Sequence, residues 1–142
     1  MFIAPLGSRI DLIIDGSEFR PGDRVTGRVI LNCTEPVKAR AFLITLRAES
    51  WVDVSCGSGK HRRSKHETNV LHEQVISLGD EKEYTRQEGT FSFDIPSDAP
   101  PTIFSSLDSK EDYGAGLRWI IEAKLDIALS TDINTRKTIF VY

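Results

Sequence analysis

The sequence holds only two cysteines, Cys33 and Cys56, a single methionine, and no long uninterrupted apolar run. Two cysteines are too few for a disulfide-stapled scaffold, and both thiols are expected to be reduced in a chain with no export signal. The start does not read as a signal peptide, because Pro5, Gly7 and Arg9 break the apolar stretch that Phe2 and Ile3 begin. No segment reaches the length needed to span a bilayer as a helix. Charge of one sign is also lacking. A formal net charge of -3 argues against bulk nucleic-acid or anionic-membrane binding, although local patches escape a global sum. The expected compartment is the cytoplasm, where the Asn32-Cys33-Thr34 sequon goes unused.

The familiar catalytic spacings are missing as well. There is no Gly-x-Ser-x-Gly elbow, and neither His66-Glu67 nor His72-Glu73 continues into a zinc-protease helix motif. Gly59-Lys60 lacks both the first glycine and the following hydroxyl of a phosphate-binding loop. Cys56, His61, His66 and His72 are ligand types that zinc accepts, but they do not form the two close pairs of a structural site. Nearby positive charges would also repel the ion. The expectation is therefore no enzyme, no metal and no cofactor. The opposing reading is a small metal-binding or hydrolytic protein built on those four residues.

What is present is alternation. Ile10, Leu12 and Ile14 share a face over 9–15, and Val25, Gly27, Val29 and Leu31 share one over 25–31. Gly27 leaves a gap in that face, where a neighbouring backbone or large side chain can approach. Between these strands, Pro21 presets its backbone and Gly22 supplies the positive φ of a type II turn. Pro36 is expected to close a turn before a long strand, 37–51, in which Phe42, Ile44 and Leu46 oppose Ala41, Thr45 and Arg47. Further strands are expected at 69–78, weakened by His72 and Gln74, and at 88–95, where Phe91, Phe93 and Ile95 alternate. Leu117, Trp119, Ile121, Ala123, Leu125 and Ile127 then mark 117–129, and the last strand is 135–142. Trp51 and Trp119 read as core or sheet-end packing. This is an all-β, immunoglobulin-like antiparallel β-sandwich of about seven or eight strands, in one domain spanning 1–142.

Two segments invite a partner. Residues 56–66, CGSGKHRRSKH, place Lys60, Arg62, Arg63 and Lys65 beside a glycine-rich stretch. They suit an acidic or phosphorylated peptide, or an anionic lipid headgroup at the membrane periphery, and equally a solvated hairpin tip. After Pro96, Pro100 and Pro101 comes a connection carrying Asp108, Glu111 and Asp112, longer than a hairpin needs.

The order of motifs is more specific than the class. Phe19-x-Pro21-Gly22-Asp23-x-Val25-x-Gly27-x-Val29-x-Leu31 is followed by a strand ending near Ala48-Glu49-Ser50-Trp51. Then come Phe91-x-Phe93-x-Ile95-Pro96, Pro100-Pro101-Thr102 with Phe104, and Leu117-x-Trp119-x-Ile121-x-Ala123-x-Leu125-Asp126. This series resembles the N-terminal domain of the arrestin-like superfamily, which includes arrestins, α-arrestins, retromer subunits and bacterial sporulation-control proteins. The resemblance implies a non-catalytic adaptor that binds a protein segment, such as the cytoplasmic tail of a membrane protein, in trafficking or signalling. Most members of that superfamily carry two tandem sandwiches, and these 142 residues stop where the second would begin, as expected either of a piece of a longer protein or of a single-domain relative. Pro100-Pro101-Thr102-Ile103 is not the Pro-Pro-x-Tyr motif of α-arrestins, and a first strand offering only Arg9 does not carry the basic phosphate-sensing cluster of arrestins. A self-associating structural module is the remaining alternative.

Overall fold

A computed structural model describes residues 7–56, 63–103, 113–128 and 130–142, and the side chains at 54–56, 63–65 and 113–114 are outside that description. The β-branched and aromatic alternation of the sequence becomes eight strands. These are β1 (Arg9–Ile14), β2 (Glu18–Phe19), β3 (Arg24–Ala39), β4 (Ala41–Cys56), β5 (Arg63–Gly79), β6 (Lys82–Asp94), β7 (Tyr113–Asp126) and β8 (Ile133–Val141). They form a three-stranded sheet in the order β1-β3-β6 and a five-stranded sheet in the order β2-β8-β7-β4-β5. All pairs are antiparallel except β2 with β8.

The expected period-two faces meet between the sheets. Val25, Val29, Leu31, Phe93 and Ile95 come from the smaller sheet and its exit, and Phe42, Ile44, Leu46, Trp119, Ile121 and Leu125 from the larger. All are buried, and Phe42 meets Tyr84 edge-on at 6.1 Å between ring centroids. Thr135 Oγ1 also crosses between the sheets, donating to the Ile10 carbonyl at 2.7 Å. The turn at Pro21-Gly22 closes as expected: Gly22 has φ 88°, and Asp23 N donates to Arg20 O at 3.0 Å.

Several boundaries differ from the sequence expectation, β6 starting at Lys82 rather than 88 and β7 running over Tyr113–Asp126 rather than 117–129, and three further differences have a clear physical reason. Pro36 does not end a strand. The β3–β6 register jumps from Asn32↔Arg86 to Val37↔Tyr84, so Pro36 lies in a bulge, where its missing N–H costs no ladder bond. The strand expected at 69–78 begins earlier, at Arg63, because β4 supplies a partner up to Cys56. The two residues that weakened its pattern face inward. His72 lies 5.7 Å from the Trp119 ring, and Gln74 Nε2 donates to the Asp94 carbonyl at 2.9 Å. Finally, β2 (Glu18–Phe19) takes in Phe19, expected to open the turn that runs to Asp23, and pairs with the last strand through Glu18↔Phe140 and Phe19↔Val141.

The prolines after β6 take the chain from one sheet to the other. Pro100 O accepts the Trp119 indole N–H at 2.9 Å, Thr102 exchanges bonds with Val141, and Ile103 bridges Leu117. This crossover therefore closes one end of the core.

Candidate partner-binding edge on the β4–β5 hairpin

Both long hairpin strands continue past the part of the sandwich that the smaller sheet covers. On β4, burial falls from complete at Phe42, Ile44, Leu46 and Ala48 to partial at Ser50 and Trp51, and Val52 is exposed. On β5, residues 66–71 are all exposed. The strand has β4 on one side, and among the described residues no strand pairs with its other side. A row of backbone N–H and C=O groups along such an edge is a template for another strand.

The side chains on this edge are unusually apolar for their exposure. Val70, Leu71 and Val75 are 56%, 52% and 52% exposed. The register explains how two of them come to be neighbours. Ala48 pairs with His72 and Glu49 with Val70, so Leu71 is the extra residue of a β-bulge. The bulge also switches the parity of the strand. Before it, His66, Thr68 and Val70 lie opposite Asp53, Trp51 and Glu49 on the outer face; after it, Glu73 and Val75 lie opposite Arg47 and Thr45 on that same face.

Beneath the edge, the outer face of the larger sheet is locked by a ladder of alternating charge. Glu49 is only 5% exposed and accepts from Arg118 Nε at 2.5 Å and Arg47 Nε at 3.2 Å. Arg47 reaches Glu122 at 4.0 Å, and Glu122 accepts from Arg136 Nε at 2.8 Å. Each carboxylate thus faces two guanidinium groups, which offsets the cost of removing it from water. The ladder ties β4 to β7 and β8. Sequence reasoning missed it, because Arg47, Glu49, Arg118, Glu122 and Arg136 meet only once the register is known.

Closer to the tip, His66 Nδ1 meets the Asp53 carboxylate, and Thr68 Oγ1 lies 3.0 Å from His66 Nε2. The three groups sit on an open sheet face that water reaches. His66 and His72, both named as zinc-type ligands, face opposite sides of the sheet because of the bulge at Leu71. Among the described residues, no group of three His, Cys, Asp or Glu side chains is placed to hold a metal. His61 is outside the described residues, as is the side chain of Cys56. Cys33 is buried, and burial pushes its thiol pKa upward.

Of the basic residues proposed for partner binding, Lys60 and Arg62 lie outside the described residues. Arg63 and Lys65 belong to the start of β5, where the backbone register sets them opposite Cys56 and Val54. Asp108, Glu111 and Asp112 are also outside the description. Among the described residues, no helix is long and apolar enough to cross a membrane.

The family model for the N-terminal domain of arrestin (or S-antigen) matches residues 10–142. Among solved structures, the fold is similar to that of Spo0M, a sporulation control protein from Bacillus subtilis, with a TM-score of 0.59 at 18% sequence identity. That alignment covers 94% of this chain and 49% of the Spo0M chain, so the sequence spans about half the length of that neighbour. No curated protein sequence gives a significant match.

Proposed function

Because the chain belongs to the arrestin N-terminal domain family, we propose that it is a non-catalytic adaptor domain that holds an extended segment of another protein against the outer edge of β5. Residues 1–142 act as one sandwich domain, in the cytoplasm, and the segment is part of a membrane protein handled in trafficking or signalling. The family supports the adaptor role, and the edge supports the mode. Strand addition draws its affinity from main-chain hydrogen bonds and its specificity from alternate side chains. The observation that carries the reading is a long β5 that, among the described residues, has no strand on its second side, and on which Val70, Leu71 and Val75 are more than half exposed.

Peptides selected from a random display library against the purified protein test it. Selected peptides are expected to alternate apolar and polar residues, and to lose binding to a Val70→Lys, Val75→Lys variant whose far-ultraviolet circular dichroism is unchanged. Lysine on an edge strand opposes pairing without disturbing the core. Peptides that bind this variant undiminished, or that shift amide resonances only on β1, β3 and β6, would refute the proposal.

A further inference from the structure

Resting on the strand-addition reading of the β5 edge, we infer that the incoming segment carries a basic residue between two aliphatic ones, in the spacing aliphatic-x-basic-x-aliphatic. Val70 and Val75 are an odd number of positions apart, and in a regular strand they would lie on opposite faces. The extra residue Leu71 corrects the parity, so the outer face of β5 reads Val70, Glu73, Val75 in consecutive places. A strand laid along the open side, with no bulge of its own, meets these three with every second side chain. Its outermost contact residues are then four positions apart, about 13 Å of extended chain. The pattern is the same read from either end, so it holds for parallel and antiparallel addition.

Both valines are more than half exposed, and aliphatic side chains of the ligand cover them. Glu73 stands exposed between them on the same face. Among the described residues it makes no ion pair. Its cross-strand neighbour Arg47 is committed elsewhere, to Glu49 at 3.2 Å, and lies 4.0 Å from Glu122. From His66 to Gly79, β5 holds the carboxylates of Glu67 and Glu73 and no lysine or arginine. Glu67 pairs with Val52 on the inner face, so Glu73 alone sets the charge beside the valines. A lysine or arginine opposite Glu73 completes a cross-strand charge pair that the fold leaves open, whereas glutamate there opposes like charge. The same carboxylate argues against a second copy as the occupant. Two β5 edges paired antiparallel with Val70 over Val75 would set the two copies of Glu73 face to face.

Three threonine-rich peptides of equal length test this by fluorescence anisotropy at low salt. One has the core Val-Thr-Lys-Thr-Val, one has glutamate in place of the lysine, and one has an extra threonine between the lysine and the second valine. The first is expected to bind about three- to tenfold more tightly than either of the others. Added salt should narrow its lead over the glutamate peptide but not over the respaced one. Glu73→Gln should remove the lead over the glutamate peptide, and Glu73→Lys should reverse it. A lead that persists in Glu73→Gln would trace to the formal net charge of -3 rather than to this carboxylate, and would overturn the basic preference. Equal binding of the three peptides would overturn the motif; if that binding still weakens in the Val70→Lys, Val75→Lys variant, strand addition stands. Amide shifts confined to β1, β3 and β6, or no binding by any of the three, would take strand addition down with the motif.

Discussion

Gly27 is the position where the packing can be tested with a single methyl group. It sits in the middle of β3, with β1 on one side through Ile14 and β6 on the other through Phe91. A Cβ built there would press into the Ile13 carbonyl oxygen and lie 2.5 Å from Phe91 Cζ and 2.8 Å from Phe91 Cε1. Neither neighbour moves freely. The Ile13 oxygen is fixed in the β1–β3 ladder, and the Phe91 ring is buried with Phe93 at 5.7 Å. Overpacking of this kind costs about 1–3 kcal/mol. Removing glycine's backbone freedom from the unfolded chain returns about 0.5–1 kcal/mol.

Gly27→Ala is therefore expected to destabilise by about 1–2 kcal/mol, lowering Tm by roughly 3–8 °C for a domain of this size. Urea and thermal unfolding followed by circular dichroism measure both quantities. Adding Phe91→Leu removes the ring half of the conflict. The alanine should then cost less in the double variant than alone, and the cycle isolates the coupling. An alanine at 27 that leaves stability unchanged or raises it would refute the packing argument. Strict additivity with Phe91→Leu would place the whole conflict on the β1 backbone.

Glu49→Gln should cost about 2–3 kcal/mol, because Arg47 and Arg118 lose a shared buried carboxylate; a urea midpoint shift worth under about 0.5 kcal/mol would show the ladder to be dispensable. At Gly22 a Cβ meets nothing within 4 Å, so Gly22→Ala should lose only the cost of the positive φ, about 1–2 kcal/mol, and Gly22→Asn less. Equal losses for the two at 22 would mean that turn geometry is not the cause. Alkali should destabilise the fold. Burial raises the Cys33 thiol above its usual value of 9.0, and burial then Asp80 raises Tyr84 above 10.0. The unfolded chain therefore ionises first, and stability present below pH 9 is lost as pH climbs through the higher folded values. Cys33→Ala should flatten the early part of that decline in pH-dependent urea unfolding, and an unchanged slope would exclude the thiol. Gln74→Ala should speed amide exchange along β5 while β3 stays protected; uniform acceleration would mean that the hairpin and core open together.

The core was legible because its signal is local. Phe42, Ile44, Leu46, Phe91, Phe93, Trp119 and Ile121 alternate within single strands, and alternation needs no knowledge of a partner. The gap at Gly27 could be read the same way, though not which ring would fill it. The start of β5 was hidden, since residues 63–68 are polar on both faces and become strand only through pairing with β4. Polar His72 and Gln74 looked like interruptions because the acceptor and ring that receive them lie on distant strands. Pro36 was misread for a related reason. A proline marks a missing donor, and whether that ends a strand or makes a bulge depends on the facing residues. At the candidate site, the basic residues were visible as composition, but the edge beside them is a property of sheet order and is written in no single segment.

An edge strand that carries a ligand must be held without using the edge itself, and β5 meets this condition in two ways. From below, His72 rests on Trp119, Gln74 bonds the end of β6, and Gln87 Nε2 donates to the Leu78 carbonyl at 2.6 Å. From the side, β5 hangs on β4, and β4 is fixed to β7 and β8 by Glu49, Arg47, Glu122 and their guanidinium partners. His72 and Gln74 act through their side chains, and the one β5 backbone group used from below is the Leu78 carbonyl, away from Val70, Leu71 and Val75. The apolar residues that would make such an edge aggregate are broken into two groups by Glu73 and by the bulge at Leu71, both devices that limit uncontrolled pairing. The same bulge brings Val70 and Val75 onto one face, so the feature that restrains indiscriminate association also defines the spacing a specific strand has to match.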